Sequence, residues 1–128
     1  MISLRRSAFV VPLFFFLIGC QPKSVPFETA PAITTVMDST GFAPSTLSIA
    51  LGQTVCWANR DTSEGHWPAS NIHPTHGIYP AFDPKKPVRA GETWCFRFDK
   101  EGVWRFHDHL FPEFSGVVTV KKPVAVNQ

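Results

Sequence analysis

With 128 residues, 44% hydrophobic and 13% aromatic, the chain has the material for one small domain with a compact core. Twelve basic residues stand against ten acidic ones for a formal charge of +2, with no basic patch or stripe of the kind that nucleic-acid binding requires. No glycine-rich phosphate loop and no supported Ser-His-Asp arrangement is present, so nucleotide binding and triad hydrolysis are excluded with it.

In chain order, Arg5 and Arg6 precede an apolar stretch over 8–18 that is too short to span a membrane as a helix and has the build of a signal peptide. Leu17-Ile18-Gly19-Cys20 follows and resembles the bacterial lipobox. That resemblance implies removal of residues 1–19 and lipidation of Cys20 as the first mature residue. Removal leaves ten basic against ten acidic residues, so the lipid rather than charge holds the protein to the membrane. The expected address is the cell envelope, facing the periplasm or the exterior. Gln21 after the lipid Cys resembles the outer-membrane sorting rule for a host with two membranes. Residues 20–32 carry Pro22, Pro26 and Pro31 and little apolar periodicity, which predicts a semi-extended tether.

From Ile33 onward, short runs of β-branched and aromatic residues alternate with Gly, Pro, Asn and Asp, and no helical period is sustained. The pattern predicts an all-β domain over 33–122, followed by a tail over 123–128. Strands are expected at 33–37, 46–50, 53–59, 93–99, 103–109 and 116–121, with turns at Gly52, Gly91 and Gly102. Their number and spacing suit a Greek-key β-sandwich or barrel. Residues 82–87, Phe82-Asp83-Pro84-Lys85-Lys86-Pro87, read as a surface turn, with Lys85 and Lys86 available to a partner or to lipid headgroups. Side-chain alternation puts Val55 and Trp57 on one face of their strand, and Trp94, Phe96 and Phe98 on one face of theirs. These aromatic faces are the expected core, which leaves Cys56 and Cys95 on outer faces. If the two strands are neighbours, an exported protein will oxidise the pair to a disulfide; otherwise they are two small apolar thiols.

Gly41-Phe42-Ala43-Pro44, Leu47-Ser48-Ile49 before Gly52, Val55-Cys56-Trp57-Ala58-Asn59 with Asp61 and His66, Phe96-Arg97-Phe98, Gly102 and Gly116-Val117-Val118-Thr119-Val120 together resemble the cupredoxin pattern over 33–121. The resemblance implies a Greek-key β-sandwich in which the strands of Val55 and Thr93 are neighbours, and so favours the Cys56–Cys95 disulfide. It places His66 at the early copper-ligand position. Counted back from Gly116, however, the position of the copper thiolate holds Asp108, and those of the late His and Met hold Phe111 and Phe114. A trigonal His-Cys-His site of the blue-copper kind is therefore not expected. Residues 102–110 resemble instead the Gly-Thr-Tyr/Phe-Trp-Tyr-His-Ser-His stretch of multicopper oxidases, and His66-Trp67 the start of their His-Trp-His-Gly motif, with Pro68 in place of the second His.

All five histidines fall between His66 and His109. On a strand, His107 and His109 project from one face and can converge on one ion. Neutral imidazoles suit copper first, by the Irving-Williams order, and zinc second. His66 is the expected third ligand, the loop residues His73 and His76 are additional candidates or a lid, and Asp108 is expected to orient its neighbours rather than to bind metal. Trp67 and Trp104 read as core residues that restrict water near the ion. The expected function is copper binding by histidines in an envelope-anchored protein for copper handling or redox, with a copper-donor or copper-acceptor protein as partner. The competing readings are a metal-free interaction module and a small copper redox enzyme. Catalysis is not favoured, because no general acid and base stand out beyond Asp108 and Glu113.

Overall fold

The computed structural model describes residues 30–123, so the signal segment, Cys20 and most of the tether lie outside the described residues. Eight strands form two sheets: β1 (Ile33–Asp38), β2 (Gly41–Ala43), β3 (Thr46–Ala50), β4 (Thr54–Asn59), β5 (Pro68–Ser70), β6 (Thr93–Arg97), β7 (Gly102–Asp108) and β8 (Ser115–Lys121). One sheet has the order β2-β1-β4-β6 and the other β3-β8-β7-β5. β1 runs parallel to β4 and β3 parallel to β8, while the remaining pairs are antiparallel. The six expected strands are present within a residue or two of their expected ends. β2 and β5 are additional three-residue strands, and β5 reads Pro-Ala-Ser, with no β-branched or aromatic residue to announce it. It lies at a sheet edge and begins with its proline, where a missing amide proton is tolerated.

The core lies between the sheets and follows from alternation. Leu47 and Ile49 of β3 are buried while Thr46 and Ser48 are exposed, and Val118 and Val120 of β8 point the same way. From the opposing sheet Met37, Val55 and Trp57 enter with no exposed surface, and Phe98 and Phe106 complete the aromatic centre. Trp57 packs edge-on against Phe106 with ring centroids 5.6 Å apart and tilted against Phe82 at 5.0 Å. Aromatic pairs of this kind contribute about 0.5–1.5 kcal/mol beyond the burial of their area.

Phe82 corrects the expected surface turn over 82–87. Its ring is fully buried, stacked on Trp94 at 5.9 Å and on Phe96 at 5.4 Å, and Asp83 is buried beside it. Lys85 and Lys86 remain exposed. Burying one aromatic ring outweighs the polar character of its neighbours, and the segment is drawn onto the core.

In β4 and β6, Cys56 stands directly opposite Cys95, and the two form a disulfide. Gly116 meets a steric demand of another kind. It is the partner of Phe106 across β7 and β8, and a Cβ there would lie 2.4 Å from the Phe106 ring and 2.5 Å from the Ser45 carbonyl oxygen. Only glycine lets the two chains close up behind the strand end that carries His107.

Candidate metal centre

β7 ends as Phe106-His107-Asp108, and its alternation decides the site. His107 and His109 project to one side, Asp108 to the other. β5 pairs with this end of β7, with Ala69 opposite His107, and the chain leaving β5 turns back over it. The returning loop is held at several points. The Asn71 amide donates to the Arg105 carbonyl at 3.0 Å, the Ile78 amide to the Asn71 carbonyl at 2.9 Å, and the Tyr79 amide to Ser70 Oγ at 2.9 Å. Across the loop the His76 amide donates to the Ile72 carbonyl at 2.7 Å, with His76 in the left-handed region at φ 54°. The result brings His73 and His76 over His107 and His109.

Ligand nitrogens of His73, His107 and His109 all lie within 4.8 Å of one another. His73 Nδ1 is 3.2 Å from His107 Nε2, and His76 Nε2 is 2.9 Å from His109 Nδ1. Two nitrogens bound to one ion at about 2.0–2.1 Å subtend such separations at angles of roughly 90–100°. The rings are also set by partners outside the cluster. His107 Nδ1 lies 2.9 Å from Asn71 Oδ1 and His76 Nδ1 lies 2.7 Å from Asp83 Oδ2. Both oxygens accept, so each Nδ1 carries the proton and each Nε2 turns its lone pair inward. Asp83 is itself fixed by Trp67 Nε1 and the Lys85 amide, each donating to Oδ1 at 2.8 Å, and by Lys85 Nζ at 2.8 Å from Oδ2. Burial opposes ionisation of Asp83, but these donors outweigh it and hold its carboxyl well below the usual carboxylate range.

The cluster disfavours protonation. Burial, followed by the neighbouring His76, His73 and His109, lowers the His107 pKa to about 4. Burial and the neighbouring His76 and His73 lower that of His109 as well. Imidazoles kept neutral in this way have lone pairs ready for a cation. His107 and His76 form the buried floor, and His73 stands exposed at the mouth. Trp67 packs against His109 with centroids 4.6 Å apart and closes one side.

The structure does not bring His66 to this cluster, which corrects its expected place as third ligand. Its ring is 1% exposed and goes with Asp108 on the opposite side of β7, with Nδ1 2.5 Å from Asp108 Oδ2. The imidazoles that lie beside His107 and His109 are instead those of His73 and His76. Asp108 holds the strand end in place: its Oδ1 accepts from the amides of Trp67 at 3.1 Å and Leu110 at 2.9 Å. Asn71 and Asp83 were missed in the sequence. Asn71 carries no signal there, whereas a phenylalanine beside an aspartate in an otherwise polar turn was a sign that Phe82 and Asp83 are drawn inward.

No protein-family model matches the chain, and no curated protein does. Among solved structures, a purple cupredoxin from Nitrosopumilus maritimus is similar at 26% identity and a TM-score of 0.60, over 70% of this chain and 99% of that one. A reduced Cu(I) form of an amicyanin mutant is similar at 20% identity and a TM-score of 0.59, over 73% of this chain and 87% of that one. Another amicyanin mutant in the Cu(I) state matches at 22% identity and a TM-score of 0.60. With two four-stranded sheets and these neighbours, the chain is an all-β sandwich of the cupredoxin type.

Proposed function

We propose that the protein binds copper through His73, His76, His107 and His109, and handles it outside the cytoplasm while held to the membrane through a lipid on Cys20. The observation that carries this reading is the convergence of these imidazoles from β7 and the loop after β5, two of them oriented by Asn71 and Asp83. An all-imidazole set favours copper(II) over zinc by the Irving-Williams order. The copper forms of amicyanin among the structural neighbours lend the fold a precedent for that metal. Such a centre is pale. The two cysteines among the described residues are joined to each other and offer no thiolate to give it an intense colour.

The test is to incubate the purified mature chain with copper(II), remove free metal by desalting, and measure copper per chain and its paramagnetic resonance. The expected result is one retained copper with nitrogen hyperfine structure and no strong visible band, lost in His107→Ala. A protein that retains no copper above the buffer control is instead a metal-free module.

A further inference from the structure

The four imidazoles of the cluster are not held alike. His107 Nδ1 is bonded to Asn71 Oδ1 at 2.9 Å and His76 Nδ1 to Asp83 Oδ2 at 2.7 Å, so both rings are fixed from outside. His109 has Trp67 against its ring, with centroids 4.6 Å apart, and its amide donates to the Trp67 carbonyl at 2.8 Å. His73 has no support of either kind. Among the described residues its ring makes one hydrogen-bonding contact, from Nδ1 to His107 Nε2 at 3.2 Å, and that contact lies inside the cluster. The backbone repeats the contrast. His107 lies on β7 between β5 and β8, whereas His73 lies on the excursion that the Ile78 amide closes by donating to the Asn71 carbonyl at 2.9 Å. Within 72–77, the backbone hydrogen bond among the described residues is that of the His76 amide to the Ile72 carbonyl, which fixes His76. His73 is exposed, while His76 and His107 are buried. Its side chain can therefore swing to solvent without breaking a bond to the rest of the fold, and sparsely bonded exposed positions open at least cost.

Resting on the copper reading above, we propose that His73 is the exchangeable ligand of the centre. His76, His107 and His109 retain the ion as cargo, and His73 gives up its place to an exposed imidazole of a copper-accepting protein. Three imidazoles suffice to hold a metal while a fourth position stays open to exchange. The exchange balances: one copper–nitrogen bond breaks as another forms, no electron is transferred, and a neutral incoming imidazole releases no proton from its donor nitrogen. The other three rings are unsuited to the role. Releasing His76 or His107 sets a buried ring against Asp83 or Asn71, and releasing His109 separates it from Trp67.

The test uses the mature chain loaded with copper(II), with free imidazole and a histidine-rich peptide as probes. His73→Ala is expected to keep its copper through desalting and its wild-type circular dichroism. Its paramagnetic resonance is expected to lose the coupling of one nitrogen and to return to the wild-type spectrum when imidazole is added. Copper transfer to excess peptide, followed by the recovery of tryptophan fluorescence, is expected to run several-fold faster from His73→Ala than from the wild type. A His73→Ala protein that loses its copper on desalting, while the wild type keeps it, makes His73 part of the holding set and overturns the proposal. A His73→Ala protein with the spectrum and transfer rate of the wild type shows that His73 is no ligand, and overturns it equally. A wild-type chain that retains no copper is a separate failure, since it removes the copper reading itself and this proposal with it.

Discussion

Asp83 shows how much of the candidate centre rests on a residue that touches no ion. One carboxylate accepts from His76, Trp67 and Lys85, and so fixes both a ligand ring and the indole that walls the site. Outer partners of metal-binding histidines govern affinity as ligands do, and Asp83→Ala is expected to weaken copper binding by roughly 10–100-fold. A competition titration against a chelator of known affinity measures it. Tyr79, the chain's only tyrosine, offers a probe of the loop. Burial first, and then its hydrogen bond to Asp99, push its pKa up to about 12. An unfolded tyrosine titrates near 10, so the fold favours the protonated form. That contribution to stability is whole below pH 10 and is lost as pH rises through 12. Tyrosinate absorbance is expected to stay absent in the native protein at pH 10.5 and to appear at once on denaturation.

At the level of strands, β7 and β8 carry the heaviest constraint, because the residue facing Phe106 has no room for a side chain. Gly116→Ala forces the Phe106 ring or the Ser45 carbonyl to move, and crowding of this kind costs about 1–3 kcal/mol. Denaturant unfolding is expected to show that loss, and copper affinity to fall with it, since His107 follows Phe106 on the strand. β5 makes the complementary point. Three residues with little intrinsic strand preference are held by pairing with β7, and that pairing launches the loop bearing His73 and His76. Here tertiary context overrides local propensity.

For the whole molecule, the two sheets form a platform that presents the imidazoles of His107 and His109 on one side of the end of β7, beside those of His73 and His76. The proposed lipid on Cys20 would keep that platform near a membrane, with the proline-bearing tether setting its reach. Cys20→Ala is expected to move the protein from the membrane fraction to the soluble fraction without changing its unfolding midpoint or copper content. Fractionation of cells expressing each form checks this. The fold was legible in the sequence because alternation of period two is written directly in residues such as Leu47 and Ile49, Val55 and Trp57, and Trp94 and Phe96. The disulfide was legible for the same reason: Cys56 and Cys95 share outward parity, and the family resemblance made their strands neighbours.

The site was legible only in part. That His107 and His109 share a face follows from strand geometry alone, and so does the opposite direction of Asp108. Which further histidines join them does not follow from any local pattern. His66, His73 and His76 are all loop or bridge residues some thirty or forty positions away. Their placement depends on which side of β7 the chain passes after β5 and on where the buried Phe82 draws the following segment. By itself the sequence determined an all-β domain, the core faces of its strands and the pair of imidazoles on one strand, because those are set by periodicity, while the sandwich came with the family resemblance. Only the tertiary structure decided that His73 and His76 close over that pair while His66 turns to Asp108, because long-range packing and buried hydrogen bonds choose among loop paths that local chemistry leaves equivalent.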